Sequence, residues 1–218
     1  MARENPPLAP FDHVIILVPG IAEGAAQFHA ASGVKPVIGG RHRDYGTINA
    51  LASAGTGYVE LIALDRGVVA RSAPRVIGFA VTTGDVDALA DHVQAAGLTC
   101  AVTEGSRQTP EGIVLRWRSM EVIGHDFAGT MPFFIDWGET PHPSTTAPTG
   151  LTAPRLSVLH PRADTLRTLF ERLGVAIAVE QGLAPMLRFE VMSPRGPLAF
   201  TGDDVGWRAA LAQAAIAG

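Results

Sequence analysis

The chain of 218 residues has a single cysteine, Cys100, and a single lysine, Lys35. One cysteine can form neither an internal disulfide nor a cysteine-based zinc site, which removes disulfide scaffolds and zinc fingers together. No run of about 18 apolar residues occurs, and Met1 to Pro10 has no apolar stretch, so neither a membrane span nor a secretory signal is expected and the default location is the cytoplasm. Positive charge is in short supply as well. Lys and Arg number 17 against 21 Asp and Glu, a net charge of −4, and the arginines are scattered, so nucleic acid and anionic membrane are not expected partners. There is no strand-GxGxxG-helix pattern, no Walker sequence and no Gly-x-Ser-x-Gly elbow, which leaves phosphate cradling and serine nucleophiles unsupported. Arginine in place of lysine, with abundant alanine and glycine, is the stamp of a GC-rich genome and points to bacterial origin, not to a function.

What is present is a core. Hydrophobic residues make up 47% and charged residues 17%, enough for one large domain or a chain of small repeats. A repeat is visible. The apolar strand Asp12 to Val18 is stopped by Pro19-Gly20, a helix follows from Ile21 to Ser32 and is closed by Gly33, and strands are predicted over Val34 to Ile38, Thr47 to Ala54 and Gly57 to Ala63. The same β-α-β-β-β order returns with a strand over Val76 to Thr83, a helix capped by Asp85 and ended by Gly97, and strands near Thr99 to Thr103, Ile113 to Met120 and Pro132 to Trp137. Gly33 and Gly97 are 64 residues apart, as are Pro19 and Thr83. After a Pro/Ser/Thr-rich connector from Thr140 to Pro154, a shorter third unit has a strand over Leu156 to His160, a helix over Ala163 to Leu173, and strands over Val175 to Val179, Met186 to Met192 and Pro197 to Thr201. The domain reading is a pair of βαβββ units over residues 10–142, the first at 10–66 and the second at 76–139. A third βαβββ-like unit at 153–202 and a C-terminal helix at 203–218 complete it, with Trp207, Leu211 and Ala214 at helical spacing.

A four-stranded sheet with one helix leaves its other face bare, and two such faces can curl into a cup whose lining need not be apolar. With Asp12-His13-Val14 on its first strand and Tyr58-Val59-Glu60-Leu61-Ile62 on its fourth, the repeat resembles the vicinal-oxygen-chelate superfamily and its glyoxalase-like domain proteins. Gly40-Arg41-His42, Gly46-Thr47-Ile48-Asn49-Ala50-Leu51, Leu115-Arg116-Trp117-Arg118 and Phe133-Phe134-Ile135-Asp136-Trp137 add to the match. The resemblance implies an α+β fold in which repeated βαβββ modules form a cupped mixed sheet with helices on its outer face, as in glyoxalase, bleomycin-resistance and dioxygenase proteins. It also implies a divalent metal (Zn, Fe, Mn or Ni) on the first-strand histidine and fourth-strand glutamate, His13 and Glu60, acting as Lewis acid on a small oxygenated substrate.

Glu60 is costly to bury unless it binds a cation or faces a wet cavity. The 64-residue period puts Ile77 opposite His13, so one ligand is missing, and Asp136 or His142 is expected to complete the metal site or move protons. His42, Asn49 and Trp137 are expected to meet the substrate. Arg116 and Arg118 share one strand face, expected to point into the cup. There they would clamp an anionic group, or neutralise Glu60 and Asp136 in a salt-bridge network with no metal. Two functions therefore stand side by side. One is a metal-dependent lyase, isomerase or oxygenase; the other is a metal-free protein that binds or sequesters a small molecule. Superfamily members often dimerise, so a homodimer through the third unit or the Trp207 helix is a further expectation.

Overall fold

Along the first strand His13, Ile15 and Leu17 alternate with Val14 and Ile16, and the two sets end on opposite sides of the sheet. The computed structural model describes residues 8–66, 74–203 and 206–216. Its first unit is β1 (Phe11–Leu17), α1 (Ile21–Ser32), β2 (Val37–His42), β3 (Thr47–Ala54) and β4 (Gly57–Leu64). The second is β5 (Arg75–Thr82), α2 (Val86–Ala95), β6 (Thr99–Gln108), β7 (Val114–Ile123) and β8 (Phe133–Asp136). The third is β9 (Thr152–His160), α3 (Ala163–Leu173), β10 (Ala178–Gln181), β11 (Met186–Ser193) and β12 (Gly196–Asp203), followed by α4 (Trp207–Ile216). No helix among the described residues is long and apolar enough to cross a membrane.

Helices α1 to α3 start and stop where the sequence says they should. Asp85 accepts from the backbone N–H groups of Asp87 and Ala88 at the start of α2, while Gly33 and Gly174 close α1 and α3 in the left-handed conformation. Strands β1 to β8 form a mixed sheet that curls until it closes, in the order β1-β4-β3-β2-β6-β7-β8-β5. In both units the first and fourth strands run parallel, His13 facing Tyr58 in one and Ala80 facing Phe133 in the other. The two seams that join the units are unequal: β1 and β5 pair along their length, whereas β2 and β6 share the single pair Arg41 and Gln108.

The third unit repeats the element order but not the wiring. Its sheet is ordered β10-β9-β11-β12, so the first strand is flanked by the second and third, and β12 never reaches it. This sheet packs on the outside of the barrel, where Phe11 stacks on Phe189 and Phe28 on Phe200. Val14, Ile16, Phe79, Leu166, Phe170 and Phe189 all belong to one continuous core. At Gly202 of β12 a Cβ would run into the Val76 carbonyl of β5, so glycine lets the two sheets touch backbone to backbone. The C-terminal helix starts at Trp207 and not at Asp203, and the last two residues of its expected span, 217–218, lie outside the described residues. Leu211 packs on Ile15, Leu17, Ile62 and Ile77, and Trp207 covers Gly78, so α4 stoppers one mouth of the barrel.

Candidate functional site

Inside the barrel lies a cavity lined by His13, His42, Asn49, Glu60 and Arg107 and by aromatic and aliphatic side chains. Strand alternation delivers the polar group: His13 from β1, Asn49 from β3 and Glu60 from β4 share the inward face, with His42 from the end of β2. Asn49 Nδ2 donates to Glu60 Oε1 at 2.6 Å. Glu60 Oε2 lies 3.6 Å from His13 Nε2, and Oε1 lies 3.8 Å from His42 Nε2. His42 Nδ1 is 3.1 Å from Thr47 Oγ1. Burial depresses the His42 pKa, and the positive charge of Arg107 adds to this against the pull of Glu60, so the ring is neutral at pH 7. Burial, with Asp12 and Glu60 nearby, pushes the Tyr58 hydroxyl well above the usual range, so it stays protonated.

Behind His13 sits Asp12, fully buried. Adjacent residues of a strand point to opposite faces, but the β1–β5 register shifts between Phe11 and His13, and the Asp12 carboxylate reaches the imidazole of its neighbour. His13 Nδ1 and Asp12 Oδ1 are 2.6 Å apart. Asp12 Oδ2 accepts from Thr82 Oγ1 at 2.8 Å, His142 Nε2 at 3.1 Å and Trp137 Nε1 at 3.2 Å. Burial alone would raise the Asp12 pKa. The hydrogen bonds from His13 and His142 outweigh it and hold the carboxyl well below the usual carboxylate range.

His13, His42, Asn49, Glu60 and Trp137 thus share one cavity, while four other expected site residues lie elsewhere. Asp136 is turned to the outer face, where its Oδ1 accepts from the Gly138 N–H, and Ile135 takes the inward place beside it. Arg116 and Arg118 also face outward, and Arg118 forms two hydrogen bonds to Asp87 at 2.6 and 2.8 Å. The expected alternation of β7 is inverted: Met120 and Val122, on the same face as the arginines, join the outer core, Arg118 reaches Asp87 in the first turn of α2, and Trp117 and Ser119 line the cavity. His142 does not line the cavity; it accepts from the Ser144 N–H at Nδ1 and donates to Asp12 from behind. Three contributors escaped the sequence reading. Arg107 was placed beyond a strand expected to end at Thr103, but β6 runs on to Gln108; Asp12 carried no signal except its place beside His13; Tyr45 lay in a turn.

The donor chemistry does not fit a divalent metal held as the resemblance implies. Among the described residues no three His, Cys, Asp or Glu side chains converge to hold an ion. The inward neighbours from the second unit are Ala80 and Ile135, Glu60 Oε1 is engaged by Asn49, and the Arg107 guanidinium stands next to that amide.

A family model described as a glyoxalase-like domain matches residues 11–174. Among solved structures, a hypothetical protein from Staphylococcus aureus is 17% identical, with a TM-score of 0.64 over 89% of this chain and 85% of the other. The methylmalonyl-CoA epimerase of Mycobacterium tuberculosis is 19% identical, with a TM-score of 0.46 over 64% of this chain and 95% of the other. No curated protein matches the sequence.

Proposed function

Because the chain belongs to the glyoxalase-like domain family, we infer that the barrel cavity is an active site and that it moves a proton on a small oxygenated substrate without a metal. The observation that carries this reading is the line Asp12, His13, Glu60. An ionised carboxylate can only accept, so Asp12 fixes the proton of His13 on Nδ1 and leaves the Nε2 lone pair facing Glu60 and the cavity. A substrate C–H next to a carbonyl gives its proton to Nε2, and the electron pair moves to the carbonyl oxygen as an enolate. The imidazolium that forms lies between the carboxylates of Asp12 and Glu60. Neutral His42, with Nδ1 accepting from Thr47, offers its Nε2–H to the enolate oxygen. Return of the proton to carbon, or loss of a leaving group, makes the reaction an isomerisation or an elimination.

The test is solvent-deuterium exchange into a panel of small carbonyl compounds, followed by NMR. His13→Gln and Glu60→Gln are each expected to slow exchange by roughly 10²–10⁴-fold while the protein stays folded. Exchange at the wild-type rate in His13→Gln would sink the reading. Metal content of protein purified without chelator decides the Lewis-acid form of the reading. One bound divalent ion per chain, lost in both variants and required for exchange, would replace the metal-free mechanism. A binding or sequestration protein on the same fold is the second reading, favoured by the aromatic lining of the cavity. Tight ligand binding with no exchange in any compound would support it.

A further inference from the structure

Charge in the cavity is unbalanced at one point. Arg107 is 5% exposed and lines the wall, yet among the described residues it has no carboxylate oxygen within 4.0 Å. Its side-chain hydrogen bond is a long one, from Nη1 to Asn49 Oδ1 at 3.5 Å. The other end of the same amide donates to Glu60 at 2.6 Å. Asn49 is therefore a spacer: it satisfies the cation with its carbonyl and the anion with its NH₂, and keeps the two from collapsing into a pair. A buried guanidinium without a counter-charge is costly, and its planar fork matches a carboxylate. Room for it is cut from β2, because a Cβ on Gly39 would collide with both Arg107 Nη1 and Asn49 Oδ1.

The second observation is where the aromatic residues go. The chain has three tryptophans and two tyrosines, and all five line this cavity. Trp117 and Trp137 have ring centroids 5.4 Å apart at an interplanar angle of 52°. Trp137 is pinned through Nε1 to Asp12, and the Trp117 indole lies across Gly105, where any Cβ would collide with it. Rigid, flat apolar walls of this kind bury a ring at small entropic cost.

We propose that the cavity takes a planar aromatic carboxylate, its carboxylate on the Arg107 guanidinium and its ring against Trp117 and Trp137. The proposal rests on the reading above only in taking this cavity as the substrate site; it does not depend on what His13 does to the ligand.

Isothermal titration calorimetry of the full chain with 2-naphthoate, its neutral amide 2-naphthamide, and the non-planar cyclohexanecarboxylate tests it. Saturable binding of 2-naphthoate is expected, with each of the other two weaker by about tenfold or more. Arg107→Met is expected to weaken 2-naphthoate by about tenfold to a hundredfold and leave the amide unchanged. Gly39→Ala should do the same by displacing the guanidinium. Its Cβ meets side-chain ends of Arg107, Asn49 and Leu51 and no backbone atom, so it keeps the test open if Arg107→Met fails to fold. No binding of 2-naphthoate, equal affinity for acid and amide, equal affinity for the saturated acid, or undiminished naphthoate affinity in Gly39→Ala would overturn the proposal. Binding is read without turnover, so the two ideas fail separately. Arginine-dependent binding without deuterium exchange removes the proton chemistry alone, and His13-dependent exchange with arginine-independent binding removes this proposal alone.

Discussion

Asp12→Ala is expected to lower the stability of the folded chain by about 3–5 kcal/mol, the largest loss from any single polar side chain in the barrel. The substitution strands the donors of His13 and Trp137 in the interior, and each buried unsatisfied group costs about 1–3 kcal/mol. Thr82 and His142 are half-buried and can turn to water, so they contribute less. For a chain of this size the melting temperature should fall by roughly 10 °C, which differential scanning calorimetry would read directly. Asp12→Asn keeps the shape and one acceptor but not the charge, and it separates the two effects through pH. The folded-state pKa of Asp12 is depressed. Its contribution to stability is therefore fully present above the unfolded-state value of 3.8 and is lost as pH falls from there toward the folded-state value. Wild type should lose stability steeply as pH drops below about 4, and Asp12→Asn should lose it less steeply. Parallel curves for the two proteins would show that Asp12 is not held ionised by its neighbours.

The second large effect is expected at Gly202, where β12 lies on β5. An added Cβ meets the Val76 carbonyl, which belongs to the backbone of the opposing sheet and has no rotamer through which to escape. Gly202→Ala must then separate the two sheets, at about 1–3 kcal/mol, and loosen the packing of Phe189 and Phe200 on the barrel. Gly84 is the control, since a Cβ there meets nothing within 4 Å and its φ is not positive; Gly84→Ala should change stability by no more than about 0.5 kcal/mol. If both variants unfold at the same denaturant concentration, the close approach of the sheets is not a constraint on the fold.

The elements themselves were legible because their signals are local. Gly33 and Gly174 end helices by adopting a conformation that other residues avoid, and β3 can be read end to end from Thr47 to Ala54. The inward residues of β1 and β4 were equally readable, since alternation groups His13 with Ile15 and Leu17 and Glu60 with Tyr58 and Ile62. The faces of β7 and β8 were not. Arg116, Trp117 and Arg118 alternate cleanly, but alternation gives two faces without saying which is inward, and that is settled further along the strand, where Met120 and Val122 join the outer core on the arginine face. Asp136 and Ile135 posed the same choice of register one residue apart. Arg107 was hidden by a strand end, and Asp12 by a local register shift that lets neighbouring side chains meet. The wiring of the third unit was beyond reach for a different reason. Its order of strand and helix matches the other two, and only long-range pairing decides that β9 lies between β10 and β11.

The gathering of every tryptophan and tyrosine into one cavity also has an optical consequence. The sheet of the third unit and α3 carry neither residue, so their phenylalanines are their only near-ultraviolet chromophores and they add nothing to tryptophan emission. Trp117 and Trp137 are close enough to exchange excitation, and Trp207 on α4 stacks edge-on to Tyr45 at 5.2 Å across the mouth. The intrinsic fluorescence of this protein is therefore emission from the barrel interior. A shift in it reports the state of the cavity and its stopper, and a refolding trace followed by it dates the closing of the barrel while leaving the docking of the outer sheet unseen.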